Sequence, residues 1–275
     1  MEDTSIAFVG GGNMARSLVG GLMADGVAAA RLVAAEPDPD RRAALQHDFG
    51  IRVTADNAAA AAEADVVVLA VKPQVMPGVA RELSRPLAGR DALVISIAAG
   101  IASADLARWL GGTVPVIRAM PNTPALLRCS ATVLCAGPGA GERHRELAES
   151  ILRAVGSVSW IADEAQMDTV TALSGSGPAY FFLLAEALAD AAAAQGMAPE
   201  LARLLAVETA VGAARMALES EEDIAALRAR VTSPGGTTEA AMNALEAGGF
   251  RALVADALDQ AQARSRELAA RFGQE

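Results

Sequence analysis

Apolar residues in the first 160 positions fall into short runs of strand length, separated by mixed segments of about ten to twenty residues that suit helices. Alternation of this kind predicts βαβ crossovers and a mostly parallel sheet covered by helices on both faces. The predicted strands are Ile6–Val9 and residues 31–35, 65–71, 93–98, 114–119, 131–135 and 157–161, with a charged helix around 142–154.

The pattern changes after residue 161. From 163 to 272 nearly everything has helical character, and breaks containing glycine or proline are expected at 175–178, 196–199, 233–236 and 248–249. We therefore expect an α/β fold class with an N-terminal doubly wound sheet and a C-terminal all-α region. The predicted domains are 1–161 and 162–275.

Composition and charge narrow the set of partners. A formal charge of -10 and a pI near 4.8 argue against nucleic acid or an anionic membrane as partner. The most apolar helical stretch, 179–197, carries Glu186 and Asp190 near its middle. Each would cost about 2.5–3.5 kcal/mol at a bilayer centre, so a buried helix at a domain or subunit contact is the better explanation. The first five residues include two acids and no basic stretch, which predicts no signal peptide and a cytoplasmic location.

The first predicted strand runs directly into a glycine-rich turn with the pattern G-x-G-x-x-A and then into a helix. Gly10 permits the tight turn, Gly12 lets backbone amides approach a pyrophosphate, and the small Ala15 allows close helix–strand packing. The helix N-terminus would face the phosphates. This arrangement predicts a Rossmann-type dinucleotide-binding domain, and its candidate contacts are Gly10, Gly11, Gly12, Asn13 and Met14.

Glu36 ends the second predicted strand, where an acid accepts hydrogen bonds from the adenosine ribose hydroxyls. A carboxylate there repels a 2′-phosphate and favours NADH over NADPH. Arg41 and Arg42 follow closely and would offset that repulsion if they faced the cofactor, although surface arginines are usually solvated. The residues alone leave the choice of cofactor open.

The later strands end at the same edge of the sheet, where open α/β sheets bind ligands. Lys72 would approach the nicotinamide or a phosphate, with a solvated lysine as the alternative, and Pro73 imposes an extended exit. Small residues after the next two strands suit a flat ring lying against the backbone. The candidate cofactor contacts at this edge are Ala70, Val71, Lys72, Pro73, Ala98, Ala99, Gly100 and Asn122.

Two glycine-rich segments stand out in the helical region. The segment 174–180 is expected to be a loop that opens the apolar helix, with Ser176 or Gly177 as cap and Pro178 in the first turn. The segment 232–238 opens another helix with a glycine pair flanked by hydroxyls, which suits a carboxylate. Plain helix capping is the alternative for both. Because no Ser-His-Asp set, metal-ligand cluster or Walker loop is visible, we expect no metal and a reaction whose chemistry a cofactor supplies.

The motifs together resemble the pyrroline-5-carboxylate reductase family over essentially the whole chain. The matching segments are 8–15 (FVGGGNMA), 70–74 (AVKPQ), 120–124 (MPNTP), 172–180 (ALSGSGPAY) and 231–238 (VTSPGGTT). The last two, in this order and about fifty residues apart, are the most specific.

The resemblance implies that a small-molecule substrate, the cyclic imine L-1-pyrroline-5-carboxylate, is reduced to L-proline by NADPH or NADH. It implies that Thr238 is catalytic and hydrogen-bonds the imine nitrogen, while Gly236 and Thr237 hold the carboxylate. It also places Glu164 and Glu221 near the substrate and Asn57 near the adenosine. The full set of implied substrate contacts is Glu164, Ser176, Glu221, Ser233, Gly235, Gly236, Thr237 and Thr238.

The resemblance carries one departure and one expectation about assembly. The family generally prefers NADPH, and many members have serine where Glu36 stands here. Its helical region dimerises through interlocking helices, so a homodimer or a larger homo-oligomer formed through the C-terminal helices is implied.

Two alternatives stay open at this point. A β-hydroxyacid dehydrogenase shares the expected architecture but needs a catalytic lysine on an inter-domain helix, and Lys72 is the only lysine of the chain. A nucleotide-binding sensor without turnover would keep the fold, although folding alone does not demand both glycine-rich segments of the helical region.

Overall fold

The computed structural model describes residues 4–273. It confirms the predicted fold class, because a mostly parallel sheet is followed by a long helical region. Residues 1–3, with which the first predicted domain begins, and residues 274–275, with which the second ends, lie outside the described residues. The signal-peptide prediction rests partly on the first three of them.

One eight-stranded sheet has the order β3-β2-β1-β4-β5-β6-β7-β8. Neighbouring strands are parallel except for β6 and β7, which pair antiparallel. Because β8 is parallel to β7, both run opposite to the first six strands. The strands are β1 Ile6–Val9, β2 Leu32–Ala35, β3 Arg52–Thr54, β4 Val66–Leu69, β5 Leu93–Ser96, β6 Val116–Met120, β7 Ser130–Ala136 and β8 Gly156–Ile161.

Helices cover both faces of this sheet, so strand residues are buried in alternation on either side. Ile6 and Phe8 of β1 face one apolar layer, and Ala7 and Val9 face the other. The first layer includes α1, α2 and α6, and the second includes α3, α4, α5 and the end of α12. The helices are α1 Asn13–Ala24, α2 Pro39–Phe49, α3 Asn57–Ala62, α4 Met76–Leu87, α5 Ser103–Trp109, α6 Glu142–Arg153, α7 Met167–Val170, α8 Gly177–Ala194, α9 Pro199–Glu219, α10 Ile224–Arg230, α11 Thr237–Ala247 and α12 Phe250–Gly273.

Seven of the strands lie where the apolar runs predict them, and β3 is the one that the pattern misses. Only Val53 of its three residues is hydrophobic, and β3 pairs with β2 alone at the edge of the sheet. An edge strand of this length has too few buried side chains to leave an apolar run in the sequence.

The helical region has the predicted breaks before Pro199, Thr237 and Phe250, and α8 begins at Gly177 with Pro178 in its first turn, as predicted. The loop expected before this helix is wrong, because a π turn stands in its place. Thr171–Gly175 forms a π turn that leads through Ser176 directly into α8. The amide of Ser176 donates to the Thr171 carbonyl at 2.9 Å. A wide turn of this kind carries a helical backbone past Pro178, which has no amide to donate.

The chain divides into two compact units. The first contains the whole sheet, runs to Ser176 and resumes at Ala261; the second is Gly177–Gln260. In the first unit, Ser265 donates to Asp168 at 2.6 Å and Phe272 is buried against the sheet layer. The division of the chain at 161/162 stays a prediction about domains.

The apolar stretch expected at 179–197 forms most of α8. Of the helices between residues 4 and 273, none has both the length and the apolar character needed to cross a membrane. Several large apolar side chains of the second unit are nevertheless exposed in the single chain. They include Phe181, Phe182, Leu183, Leu204, Leu253 and Val254.

Candidate active site

The glycine turn after β1 has the geometry of an anion site. Gly10 adopts φ 101°, and a Cβ there would lie 2.8 Å from the Ala70 carbonyl oxygen, so only glycine fits. Gly12 precedes the first helical residue of α1, and no side chain caps this helix. A Cβ on Gly12 would meet no protein atom within 4 Å. The first-turn amides of α1 therefore face open space that an anionic ligand can fill.

A groove of about 410 Å³ lies beside this turn. Arg16 and Arg41 supply positive charge there; Arg16 also pairs with Asp48 and lies 5.2 Å from the centre of the Phe49 ring. The groove thus offers backbone amides and guanidinium groups, which fit the phosphates of a dinucleotide. Its lining residues are Gly11, Gly12, Asn13, Arg16, Arg41 and Ala44.

Glu36 is buried and held against the glycine turn. Its Oε2 accepts from the Gly11 amide at 2.7 Å, and its Oε1 accepts from the Asp38 amide at 3.1 Å. The two arginines considered beside it are in different positions. Arg42 donates to the backbone carbonyls of Glu36 and Pro37 at 2.6 and 2.7 Å, whereas Arg41 lines the groove.

The other predicted cofactor contacts follow the carboxyl ends of the parallel strands. Lys72 is exposed and extended (ψ 145°), which confirms the predicted exit before Pro73. Asn57 begins α3 after β3, and its Nδ2 donates to Glu82 at 3.0 Å. The structure therefore brings to one edge of the sheet Gly10, Gly11, Gly12, Asn13, Met14, Glu36, Asn57, Ala70, Val71, Lys72, Pro73, Ala98, Ala99, Gly100 and Asn122.

Glu164 lies elsewhere in the first unit. It follows β8, which runs opposite to β1–β6, and its carboxylate is tied to residues of the same unit. Oε1 accepts from the Ser103 amide at 2.8 Å and from Arg118 at 3.0 Å, and Oε2 accepts from the Ser103 hydroxyl. Burial, followed by the nearby Glu164 carboxylate, raises the pKa of the Cys135 thiol. A substrate contact by Glu164 stays a prediction.

The hydroxyl-rich segment before α11 has an ordered backbone. The amide of Gly235, whose φ is 73°, donates to the Glu239 carboxylate at 2.7 Å, and the Gly236 amide donates to the Ser233 carbonyl at 3.0 Å. Gly236 precedes the first residue of α11, and no side chain caps the helix. Thr237 and Thr238 therefore present their amides at an uncapped helix N-terminus, beside the exposed Ser233.

Two other predicted substrate contacts have different surroundings. Glu221 is exposed in the turn between α9 and α10, a break that the sequence pattern missed. Ser220 and Asp223 bracket this turn by accepting from the amides of Glu222 and Ala225, and this Ser/Asp capping pattern is the signal that would have revealed it. Ser176 is half-buried in the helical connection to α8.

The sequence pattern also missed residues that shape the site. Arg16 lies one turn into α1 and lines the groove, and its place directly after the G-x-G-x-x-A motif is the signal that marks it. Ser103 and Arg118, which hold Glu164, left no local signal. Within residues 4–273, no group of three or more His, Cys, Asp or Glu side chains is arranged to hold a metal ion.

The doubly wound sheet and its glycine turn define a dinucleotide-binding oxidoreductase fold. Residues 5–100 match the profile of NADP oxidoreductase, coenzyme F420-dependent, and residues 164–268 match that of pyrroline-5-carboxylate reductase dimerisation. A pyrroline-5-carboxylate reductase of Pseudomonas aeruginosa is 53% identical over the full length of both chains. The chain therefore belongs to the pyrroline-5-carboxylate reductase family.

Solved structures agree with this assignment. A pyrroline-5-carboxylate reductase from Coxiella burnetii superposes with a TM-score of 0.92 at 46% identity, covering 97% of this chain and 98% of that one. A pyrroline carboxylate reductase from Plasmodium falciparum, solved with NADP bound, has a TM-score of 0.87 at 27% identity, covering 98% and 99%. Family membership removes the β-hydroxyacid dehydrogenase alternative.

Proposed function

We propose that this chain reduces L-1-pyrroline-5-carboxylate to L-proline with a reduced nicotinamide dinucleotide, the last step of proline biosynthesis. The proposal rests on one observation: this member of the family has two helix N-termini that no side chain caps. One follows the glycine turn of the dinucleotide groove, and the other presents the hydroxyls of the segment before α11. When bound, the cofactor supplies the hydride for the C=N carbon.

The segment before α11 is suited to hold a small carboxylate. The Thr237 amide and the positive end of the helix dipole favour an anion there, and the hydroxyl of Ser233 adds a donor. The Gly236 amide would join them by exchanging its bond to the Ser233 carbonyl for one to the carboxylate. The Gly235–Glu239 hydrogen bond fixes the backbone before ligand arrives, which lowers the entropy cost of binding. Thr238, one residue further along α11, would then hydrogen-bond the imine nitrogen.

No side chain of this segment is suited to be a dedicated general acid. The substrate arrives as the iminium, or its nitrogen takes a proton through Thr238 or water. Glu221, Ser176 and Glu164 complete the proposed substrate contacts. In this account the protein contributes mainly orientation and anion binding.

Imine-dependent oxidation of NADPH and NADH tests the proposed function, with 1-pyrroline, which lacks the carboxylate, as the matched substrate control. We expect fast oxidation with the carboxylated imine and a much higher KM with 1-pyrroline. A folded protein that binds nucleotide but oxidises neither cofactor would instead be a nucleotide-binding sensor.

A small-molecule enzyme with this acidic surface fits a cytoplasmic location, without nucleic acid or membrane as partner.

We propose that both NADPH and NADH are used. The buried Glu36 carboxylate accepts a ribose hydroxyl and so admits NADH, while Arg41 and Arg16 in the groove offset its repulsion of a 2′-phosphate. The family's preference for NADPH is thereby reduced in this chain.

Glu36→Ser is expected to raise the ratio of kcat/KM for NADPH to that for NADH about tenfold or more. The variant removes a negative charge beside the 2′-phosphate and adds a hydroxyl donor, and tenfold corresponds to about 1.4 kcal/mol. Asp40→Ser is the matched control, since Asp40 is exposed on the neighbouring α2 and does not line the groove. An unchanged ratio in Glu36→Ser would mean that this carboxylate does not face the ribose.

We further propose that the chain forms a homodimer, or a larger homo-oligomer, through its C-terminal helices. Phe181 and Phe182 of α8 are each 69% exposed in the single chain, and an apolar pocket of about 570 Å³ lies between α8, α10, α11 and α12. Exposed apolar surface of this extent marks an interaction site.

Phe181→Glu and Phe182→Glu are each expected to produce monomers in analytical ultracentrifugation. Both side chains are largely exposed in the single chain, so a new charge breaks the subunit contact without opening the monomer core. Gln46→Glu, which adds a charge at an exposed position of α2, should leave the assembly intact. If both phenylalanine variants keep the assembly of the unaltered chain, α8 is not the contact.

A further inference from the structure

Asn122 lies just past the carboxyl end of β6, and its buried side chain joins three segments of the first unit. Its Oδ1 accepts from the Ser130 hydroxyl and from the Ala131 amide, both at 3.1 Å, at the start of β7. Its Nδ2 donates to the carbonyl of Ser174, in the π turn, at 3.0 Å. Both the oxygen and the nitrogen of the carboxamide are therefore hydrogen-bonded within the protein.

The Ser174 carbonyl lacks the donor that an α-helix would normally supply to it. In a regular α-helix it would accept from the amide of residue 178, four positions later, but that residue is proline and has no N–H. The π turn sends the Ser176 amide to the Thr171 carbonyl instead. Asn122 thus donates to a carbonyl that the helical backbone cannot pair in the usual way.

The π turn also lies directly against the end of β6. A Cβ on Gly175 would be 2.4 Å from Cε of Met120, the last residue of β6, so the turn packs directly on the end of this strand. Asn122 is the directional link in an otherwise van der Waals contact. The next residue of the chain is Ser176, one of the proposed substrate contacts.

We propose that Asn122 is a positioning residue for the reaction. By donating to the Ser174 carbonyl it holds the π turn, and with it Ser176, in register with the sheet edge at which the cofactor is proposed to bind. Its backbone is also bonded within the protein, since the amide donates to the Ser130 hydroxyl and the carbonyl accepts from Ala125. This inference rests on the proposed function, because register between substrate and cofactor contacts matters only for a reaction between them.

Asn122→Asp tests this inference with little change in shape. The aspartate keeps acceptors for Ser130 and Ala131 but replaces the donor to Ser174 with a second acceptor. Displacement of the reacting groups by about 1 Å costs ~10²-fold in rate, so we expect kcat to fall at least about tenfold. The dissociation constant of the dinucleotide should stay within about twofold, because the glycine turn after β1 is not touched.

Two further variants separate positioning from stability. Asn122→Ser removes the donor without adding a charge, and we expect the same loss of kcat. Ser130→Ala removes the hydroxyl that donates to Oδ1 and accepts from the Asn122 amide, and it leaves the donor to Ser174 in place. This control should lower the melting temperature about as much as the Asn122 variants do. It should nevertheless keep kcat within about threefold of the unaltered chain.

The outcomes distinguish the two claims. If the unaltered chain does not oxidise cofactor in the presence of the imine, the proposed function fails and takes this inference with it. If the unaltered chain is active and both Asn122 variants keep its kcat, only the positioning role is overturned. It is also overturned if Ser130→Ala loses as much kcat as the Asn122 variants, since the side chain would then serve stability alone.

Discussion

Replacing Gly12 with valine is expected to weaken dinucleotide binding about 10²-fold or more while leaving the thermal stability of the protein nearly unchanged. A Cβ at Gly12 would meet no atom within 4 Å beyond its chain neighbours, so a side chain there would begin in open space. The same side chain would occupy the space before the first turn of α1, where phosphates accept from backbone amides. Losing two charge-assisted hydrogen bonds of about 1.5–3 kcal/mol each accounts for the expected loss.

The chain contains a close control for this variant. Gly141 precedes α6 as Gly12 precedes α1, with φ −91° and ψ −175° against −70° and −179°, and a Cβ there also meets no atom within 4 Å. It follows β7, which ends at the opposite edge of the sheet. Gly141→Val should therefore bind dinucleotide normally. If Gly12→Val also binds normally in calorimetric titration, the cofactor phosphates do not lie at the glycine turn.

Removing the hydroxyl of Thr238 is expected to lower kcat about 10²-fold, as Thr238→Ala, without weakening dinucleotide binding. The loss corresponds to one hydrogen bond that strengthens as the imine is reduced. Thr238 is half-buried in the first turn of α11, and the methyl of alanine is compatible with a helix. The fold of the second unit should therefore be retained.

Thr238→Ser provides the matched control, because it restores the hydroxyl while losing the methyl group. We expect it to recover most of the turnover, as measured by steady-state kinetics with saturating imine. Equal kcat in the unaltered chain and in Thr238→Ala would remove Thr238 from the catalytic role. Equal loss in the alanine and serine variants would point to packing of the methyl group instead.

The sheet could be predicted because its strands carry their own signal. Central strands such as Val66–Leu69 are buried on both faces and therefore read as continuous apolar runs. The glycine turn was equally readable, because Gly10 and Gly12 are needed for backbone reasons that are local in sequence. Strand β3 could not be predicted in this way, because an edge strand needs few apolar side chains.

What the sequence could not reveal depends on contacts between distant segments. Glu164 is bonded to Ser103 and Arg118, which are separated from it by 61 and 46 positions. No local pattern predicts such a pairing. The π turn was missed for a related reason. Gly175 and the Gly177-Pro178 pair after it suggest a loop, whereas the Ser174 carbonyl, which Pro178 leaves without its usual partner, accepts from Asn122, 52 positions earlier.

Transfer of a labelled hydride tests the central claim most directly. The purified protein would be given the imine together with NADPH or NADH that carries two deuterium atoms at the reactive nicotinamide carbon, and the product analysed by mass spectrometry. The account predicts proline that contains one deuterium, bound to the former imine carbon, with either cofactor. Unlabelled proline, or no proline from folded protein that binds the dinucleotide, would contradict it.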